Sequence, residues 1–101
     1  ALSHVTGGGL PGNLPRALPK GVDAVVDASA WETPRIFGEI QRRGSISDDE
    51  MRKVFNLGIG MVAVVPAEDR YRALDTLRAE GHRAMELGRV ERGSGAVRYA
   101  T

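Results

Sequence analysis

The sequence predicts an α+β domain: a mixed sheet with helices packed on it. Three observations lead there. Met61-Val62-Ala63-Val64-Val65 is almost wholly apolar and rich in β-branched residues, the pattern of a central strand covered on both faces. Ala67 to Glu80 places Tyr71, Leu74 and Leu77 on one helical stripe. Two further strands follow that helix, so the last third reads strand, helix, strand, strand.

The 101 residues make one domain at most, residues 1–101, and 42% hydrophobic with 27% charged residues is an ordinary globular composition. Fourteen Lys and Arg against thirteen Asp and Glu leave a net charge of +1, with the basic residues scattered; nucleic acid is not an expected partner. The longest apolar run, Ile59 to Ala67, is broken by Gly60 and Pro66 and is too short to span a bilayer, so no membrane partner is expected either. Without cysteine there is no disulfide framework and no thiolate zinc site, and with only His4 and His82 there is no His-rich metal centre. Neither end carries a signal pattern, so a cytoplasmic address is expected. The chain starts at Ala1, six residues before a glycine-rich loop, which suggests an incomplete domain.

In chain order, Leu2 to Thr6 reads as a strand running into Gly7-Gly8-Gly9, with Asn13 placed to cap a short helix beyond. Three successive glycines imply positive φ angles or a ligand brought close to bare backbone. Backbone N–H groups at a strand-to-helix turn suit a phosphate, although the Lys and Ser/Thr of a P-loop and the dinucleotide glycine spacing are both absent. Leu14, Ala17 and Leu18 form one apolar face until Pro19 ends the helix. Asp23 to Asp27 reads as a short buried strand.

Thr33 is placed to cap the next helix, with Pro34 at its first position and Gly44 at its end, and Ile36, Phe37 and Ile40 give it a buried face anchored by Trp31. Ser47-Asp48-Asp49-Glu50 has the capping-box spacing, which explains its three carboxylates without a metal. Met51, Val54 and Phe55 continue that helix. In Asn56-Leu57-Gly58-Ile59-Gly60-Met61, Gly58 reads as a helix C-cap and Gly60 as the start of a strand, or the pair forms a second wall of the site begun at His4. Glu68 and Arg72 are spaced for an i, i+4 pair, Gly81 closes its helix and His82 is a solvated loop residue. Ala84 to Glu91 reads as a strand bulged at Gly88 to Val90, joined through a hairpin turn at Arg92-Gly93-Ser94-Gly95 to a strand at Ala96 to Ala100, with Val97 and Tyr99 on one face.

Taken together, His4-Val5-Thr6-Gly7-Gly8-Gly9, Asn13-Leu14-Pro15-Arg16 with Leu18-Pro19, Ser29 with Trp31, Met51, and Phe55-Asn56 through Met61 resemble the aminoimidazole ribonucleotide synthetase (phosphoribosylformylglycinamidine cyclo-ligase) family. The resemblance runs the length of the chain and corresponds to the later part of that family's C-terminal domain, which is partly ferredoxin-like. One departure is Gly12, where many members carry an acid.

The resemblance implies a fragment of an ATP-dependent cyclo-ligase that converts formylglycinamidine ribonucleotide to aminoimidazole ribonucleotide in purine biosynthesis. Alternatives are a sister enzyme (formylglycinamidine ribonucleotide amidotransferase or selenophosphate synthetase) or a non-catalytic module binding a phosphorylated metabolite or a partner. ATP and Mg²⁺ would be bound mainly by a missing N-terminal part, the full-length enzyme would be a homodimer, and this piece alone would be inactive. The ribonucleotide substrate and the rest of the enzyme are the implied partners. Within this chain the resemblance makes His4 catalytic, as an oxyanion donor or proton shuttle, where the strand alone would suggest a buried histidine. Thr6, Gly7, Gly8, Gly9 and Asn13 would bind substrate or phosphate, with Asn56, Gly58 and Gly60 supporting them from behind. No residue is assigned to a metal.

Overall fold

The computed structural model describes residues 1–100 and is α+β. Its elements are β1 (Leu2–His4), α1 (Gly9–Asn13), β2 (Val22–Asp27), α2 (Arg35–Gly44), α3 (Asp48–Val54), β3 (Met61–Ala63), α4 (Arg70–Ala79), β4 (Gly88–Arg92) and β5 (Val97–Ala100). Single 3-10 turns lead out of α1 at Leu14–Ala17, follow β2 at Ala28–Ala30 and precede α4 at Ala67–Asp69. The strands form two sheets: β1 pairs antiparallel with β3, and β2 lies between antiparallel β4 and parallel β5.

The central strand is therefore β2, not Met61 to Val65. β3 is three residues long at the side of a two-stranded sheet, and Met61 and Val65 are exposed. An apolar run reports that its residues prefer cover; it does not say that this chain supplies the cover. β2 does have neighbours on both edges. Ala24 and Val26 face the core, in register with Val90, Val97 and Tyr99. Asp23 and Val25 share the opposite face with Glu91, Arg89 and Arg98. The core itself gathers Val5, Leu10, Leu14, Ala24, Val26 and Ile59.

No hairpin joins β4 to β5. The four residues between them cross the start of β2, where Gly93 N–H donates to Gly21 O and the Asp23 carboxylate holds the turn. Asp23 Oδ1 accepts from Ser94 N (2.8 Å), Gly95 N (3.0 Å) and Ala96 N (2.8 Å), and Oδ2 accepts from Arg98 Nε (3.1 Å). The turn signal in the sequence was real; a buried carboxylate at the centre decided that the strands straddle β2. The strand expected from Ala84 begins only at Gly88, so no bulge is needed to explain its change of phase.

The helices differ in detail. Ser47 caps α3 as its spacing predicts, accepting from Glu50 N at 3.2 Å. Thr33 caps nothing: α2 starts after Pro34 with no side-chain cap, and Ser45, at φ 51°, rather than Gly44 takes the left-handed closing position. α3 ends at Val54, so Gly58 is not its cap. Gly81 does close α4, at φ 88° with its N–H on Arg78 O. Arg72 pairs with Asp69 one turn back at 2.6 Å, not with Glu68. The apolar residues of α2 and α4 are less covered than their spacing predicts, with Ile36 and Tyr71 each at least 60% exposed. No helix among the described residues is long and apolar enough to cross a membrane.

Candidate functional site: a locked glycine loop

β1 delivers the chain to the glycines with Ser3 and Val5 turned inward and His4 outward and exposed, the alternation any strand imposes. His4 is thus not the buried strand histidine that its local sequence suggests. It stands opposite Met61 in the β1–β3 ladder. Val5 N–H then donates to Gly60 O at 2.9 Å, which brings Gly58 to Gly60 alongside the turn at Thr6 to Gly9. The two glycine segments, about fifty residues apart in sequence, are adjacent walls.

The first loop is locked from beneath. Asn13 is buried, and its side chain caps no helix but turns back into the loop. Its Nδ2 donates to Gly9 O at 2.8 Å and, more weakly, to Thr6 O and Gly7 O at 3.4 Å, while its Oδ1 accepts from Thr6 Oγ1 at 3.1 Å. Side-chain atoms of Asn13 are therefore consumed within the loop, and so is the Thr6 proton. Gly9 N–H is spent on Thr6 O, which leaves the N–H groups of exposed Gly7 and of Gly8 to meet a guest.

Gly8 and Gly9 both have positive φ, 99° and 61°. Gly9 has a second reason to be glycine: a Cβ there would run into the carbonyl oxygens of Arg52 and Phe55 at the end of α3. These two carbonyls are support that the sequence did not reveal, because the approach joins residues more than forty positions apart. Gly12, the position that departs from the family pattern, has open space where a side chain would point.

The second wall is also tied down. Asn56 Oδ1 accepts from Gly58 N at 2.9 Å, so Asn56 supports its own turn rather than the triple-glycine loop. Leu57 is left-handed at φ 55°, and Trp31 Nε1 donates to its carbonyl at 3.0 Å. Gly58, at φ 101°, abuts Pro34, whose Cδ a Cβ would meet at 2.6 Å. Trp31, expected to anchor the helix that follows it, packs on the core and holds this turn. His82 is exposed, on a loop, as expected.

Two open features flank the loops. An apolar cleft of about 1090 Å³ runs between β3, α4 and β4, past Leu74, Leu77, Met85 and Leu87. A smaller cleft of about 340 Å³ lies between α2, α3 and β5, where Arg52 stacks on the Tyr99 ring with its guanidinium carbon 4.2 Å from the ring centre. Burial pushes the Tyr99 hydroxyl above its usual pKa, and the Arg52 charge draws it back. Among the described residues, no three acidic or histidine side chains converge as metal ligands would.

Residues 1–100 match the family model for the C-terminal domain of AIR synthase related proteins. The chain is 49% identical over 94 residues to the phosphoribosylformylglycinamidine cyclo-ligase of Myxococcus xanthus (strain DK1622), covering 93% of this chain and 27% of that protein. It is 48% identical over 95 residues to the enzyme of the same name from Anaeromyxobacter sp. (strain Fw109-5), covering 94% and 28%. With that of Anaeromyxobacter dehalogenans (strain 2CP-C) it shares 47% over 93 residues, covering 92% and 27%. The chain thus spans little more than a quarter of the length of these relatives.

Proposed function

The chain belongs to the family of the AIR synthase related protein C-terminal domain, and from that premise we propose that it is part of a cyclo-ligase closing the imidazole ring of aminoimidazole ribonucleotide. The substrate is formylglycinamidine ribonucleotide. Its amide oxygen takes a phosphoryl group from ATP, and a nitrogen of the same molecule attacks the activated carbon and expels phosphate. The observation that carries this reading is the loop from Thr6 to Gly9: it is held from below by Asn13 and abuts α3, while Gly7 is exposed and Gly8 partly so, and His4 is exposed on the strand that leads into it.

That arrangement suits a phosphate held by preorganised backbone donors. Asn13 shapes the loop and the Gly7 and Gly8 amides bind. Gly9 sets the distance to α3, and Asn56, Gly58 and Gly60 keep the neighbouring wall in place. His4, exposed at the rim, is the group positioned to donate to an oxyanion or carry a proton during ring closure. Among the described residues no three acidic or histidine side chains converge, and the loop offers backbone groups for a phosphate. On this reading ATP and Mg²⁺ are bound mainly by a part of the enzyme outside this chain, and this piece alone is inactive.

The wide apolar cleft supports the same division. At about 1090 Å³ it exceeds the usual range of small-ligand pockets, roughly 300–1,000 Å³, and its lining is mainly aliphatic. On this reading the cleft is a seam for the rest of the enzyme, which weighs against a self-sufficient binding module.

The test is a titration of the ¹⁵N-labelled chain with formylglycinamidine ribonucleotide. Shifts at the Gly7 and Gly8 amides and at the His4 ring that disappear with the dephosphorylated analogue are the expected result. Equal shifts from both compounds, or shifts confined to other regions, would remove the phosphate role from this loop.

A further inference from the structure

The geometry points to a second ligand site in the smaller cleft between α2, α3 and β5, one that takes a flat ring bearing a phosphate or carboxylate group. It is separate from the glycine loop and does not rest on the reading of that loop.

Two arginines line this cleft: half-buried Arg52, and exposed Arg35 at the rim it shares with the larger cleft. Among the described residues neither lies within ion-pair reach of a carboxylate, which is equally true of Arg16, Arg70, Arg78, Arg83 and Arg92; what sets this pair apart is that the two share the smaller cleft. Arg35 stands in the first turn of α2, where the helix dipole disfavours a cation, so local helix energetics do not account for it. The guanidinium of half-buried Arg52 is held over the Tyr99 ring, and its planar fork of N–H groups is suited to an anion. The one carboxylate on the cleft, Asp48, is engaged by Gln41 Nε2 at 2.6 Å. The charged lining is therefore net positive.

Aromatic and aliphatic groups supply much of the remaining lining. Trp31 and Phe37 contribute aromatic surface, with the Phe37 ring braced edge-on by Phe55 at 5.7 Å. Leu57 closes one side in a left-handed conformation, held there by the Trp31 indole N–H. A non-glycine residue kept at positive φ by its surroundings is a stored strain of the kind found around ligand clamps. The volume, about 340 Å³, admits one ring and one anionic group and little more.

Phenyl phosphate is a suitable probe, with phenol as the neutral control, followed through the Trp31 indole N–H and the Leu57 and Tyr99 amides. The expected result is saturable shifts with phenyl phosphate and none with phenol. Binding should weaken at least about tenfold in the Arg35→Gln/Arg52→Gln double variant, since two charge-assisted contacts are lost. If the double variant does not fold, Arg35→Gln alone, at an exposed position, should still weaken binding. Any of four results would overturn the site: no saturable shift up to about 10 mM probe, equal shifts with phenol, unchanged binding in a folded variant, or shifts confined to Thr6 to Gly9, which would assign the probe to the glycine loop instead.

Discussion

Asn13 shows how much can rest on one side chain. Its type and place invite the reading of a helix cap or a substrate ligand, yet its amide holds three loop carbonyls and its oxygen takes the Thr6 hydroxyl. Removing it takes the side-chain donor from Gly9 O and the acceptor from Thr6 Oγ1, and each such hydrogen bond contributes about 0.5–1.5 kcal/mol. Asn13→Ala should therefore lower stability by about 2 kcal/mol in urea unfolding and move the Thr6, Gly7 and Gly8 amide resonances. A loss below about 0.5 kcal/mol would mean that the lock is not made in solution. The residue type was legible because Asn is frequent wherever chains turn; the partner was not, since a cap and a loop lock use the same two atoms.

At the scale of elements, the three-stranded sheet depends on Asp23. The N–H of Ala96, then that of Ser94, hold its carboxyl below the ordinary aspartate range, with Arg98 and Gly95 adding to the effect against the opposing cost of burial. A carboxylate whose folded pKa is depressed contributes stability above its unfolded value, near ~3.9, and loses it as pH falls through the folded value. The melting temperature should thus drop as the pH falls below about 4, and Asp23→Asn should be less stable at neutral pH with a shallower acid decline. An unchanged acid limb in that variant would show that other carboxylates, Glu91 or Asp27, dominate. The strand at Asp23 to Asp27 was readable from its β-branched centre. Its central place was not, because pairing partners are chosen by residues some seventy positions later.

At the scale of the molecule, apolar surface is left over. Met61, Val65, Tyr71, Leu77 and Val90 are exposed, several of them around the large cleft, and both sheets end in free edges. Such surface drives association. Sedimentation of the isolated chain should show concentration-dependent self-association, and Met61→Glu, at an exposed position, should reduce it without lowering the melting temperature. A strictly monomeric wild-type chain would contradict the seam reading of the cleft.

By itself the sequence determined the kinds of element and their order, the cap at Ser47, the close at Gly81 and the family resemblance. These are decided within a few residues, by backbone propensity and by side chains reaching adjacent N–H groups. Only the tertiary structure decided that β2 rather than the Met61 run is central, that β4 and β5 straddle it, that His4 points outward, and that Gly9 is glycine because of α3. Each of those depends on which distant group approaches a given atom, and a local pattern carries no information about that approach. The same holds for Arg35 and Arg52: seventeen residues apart in sequence, they share one cleft only because α2 and α3 fold against β5.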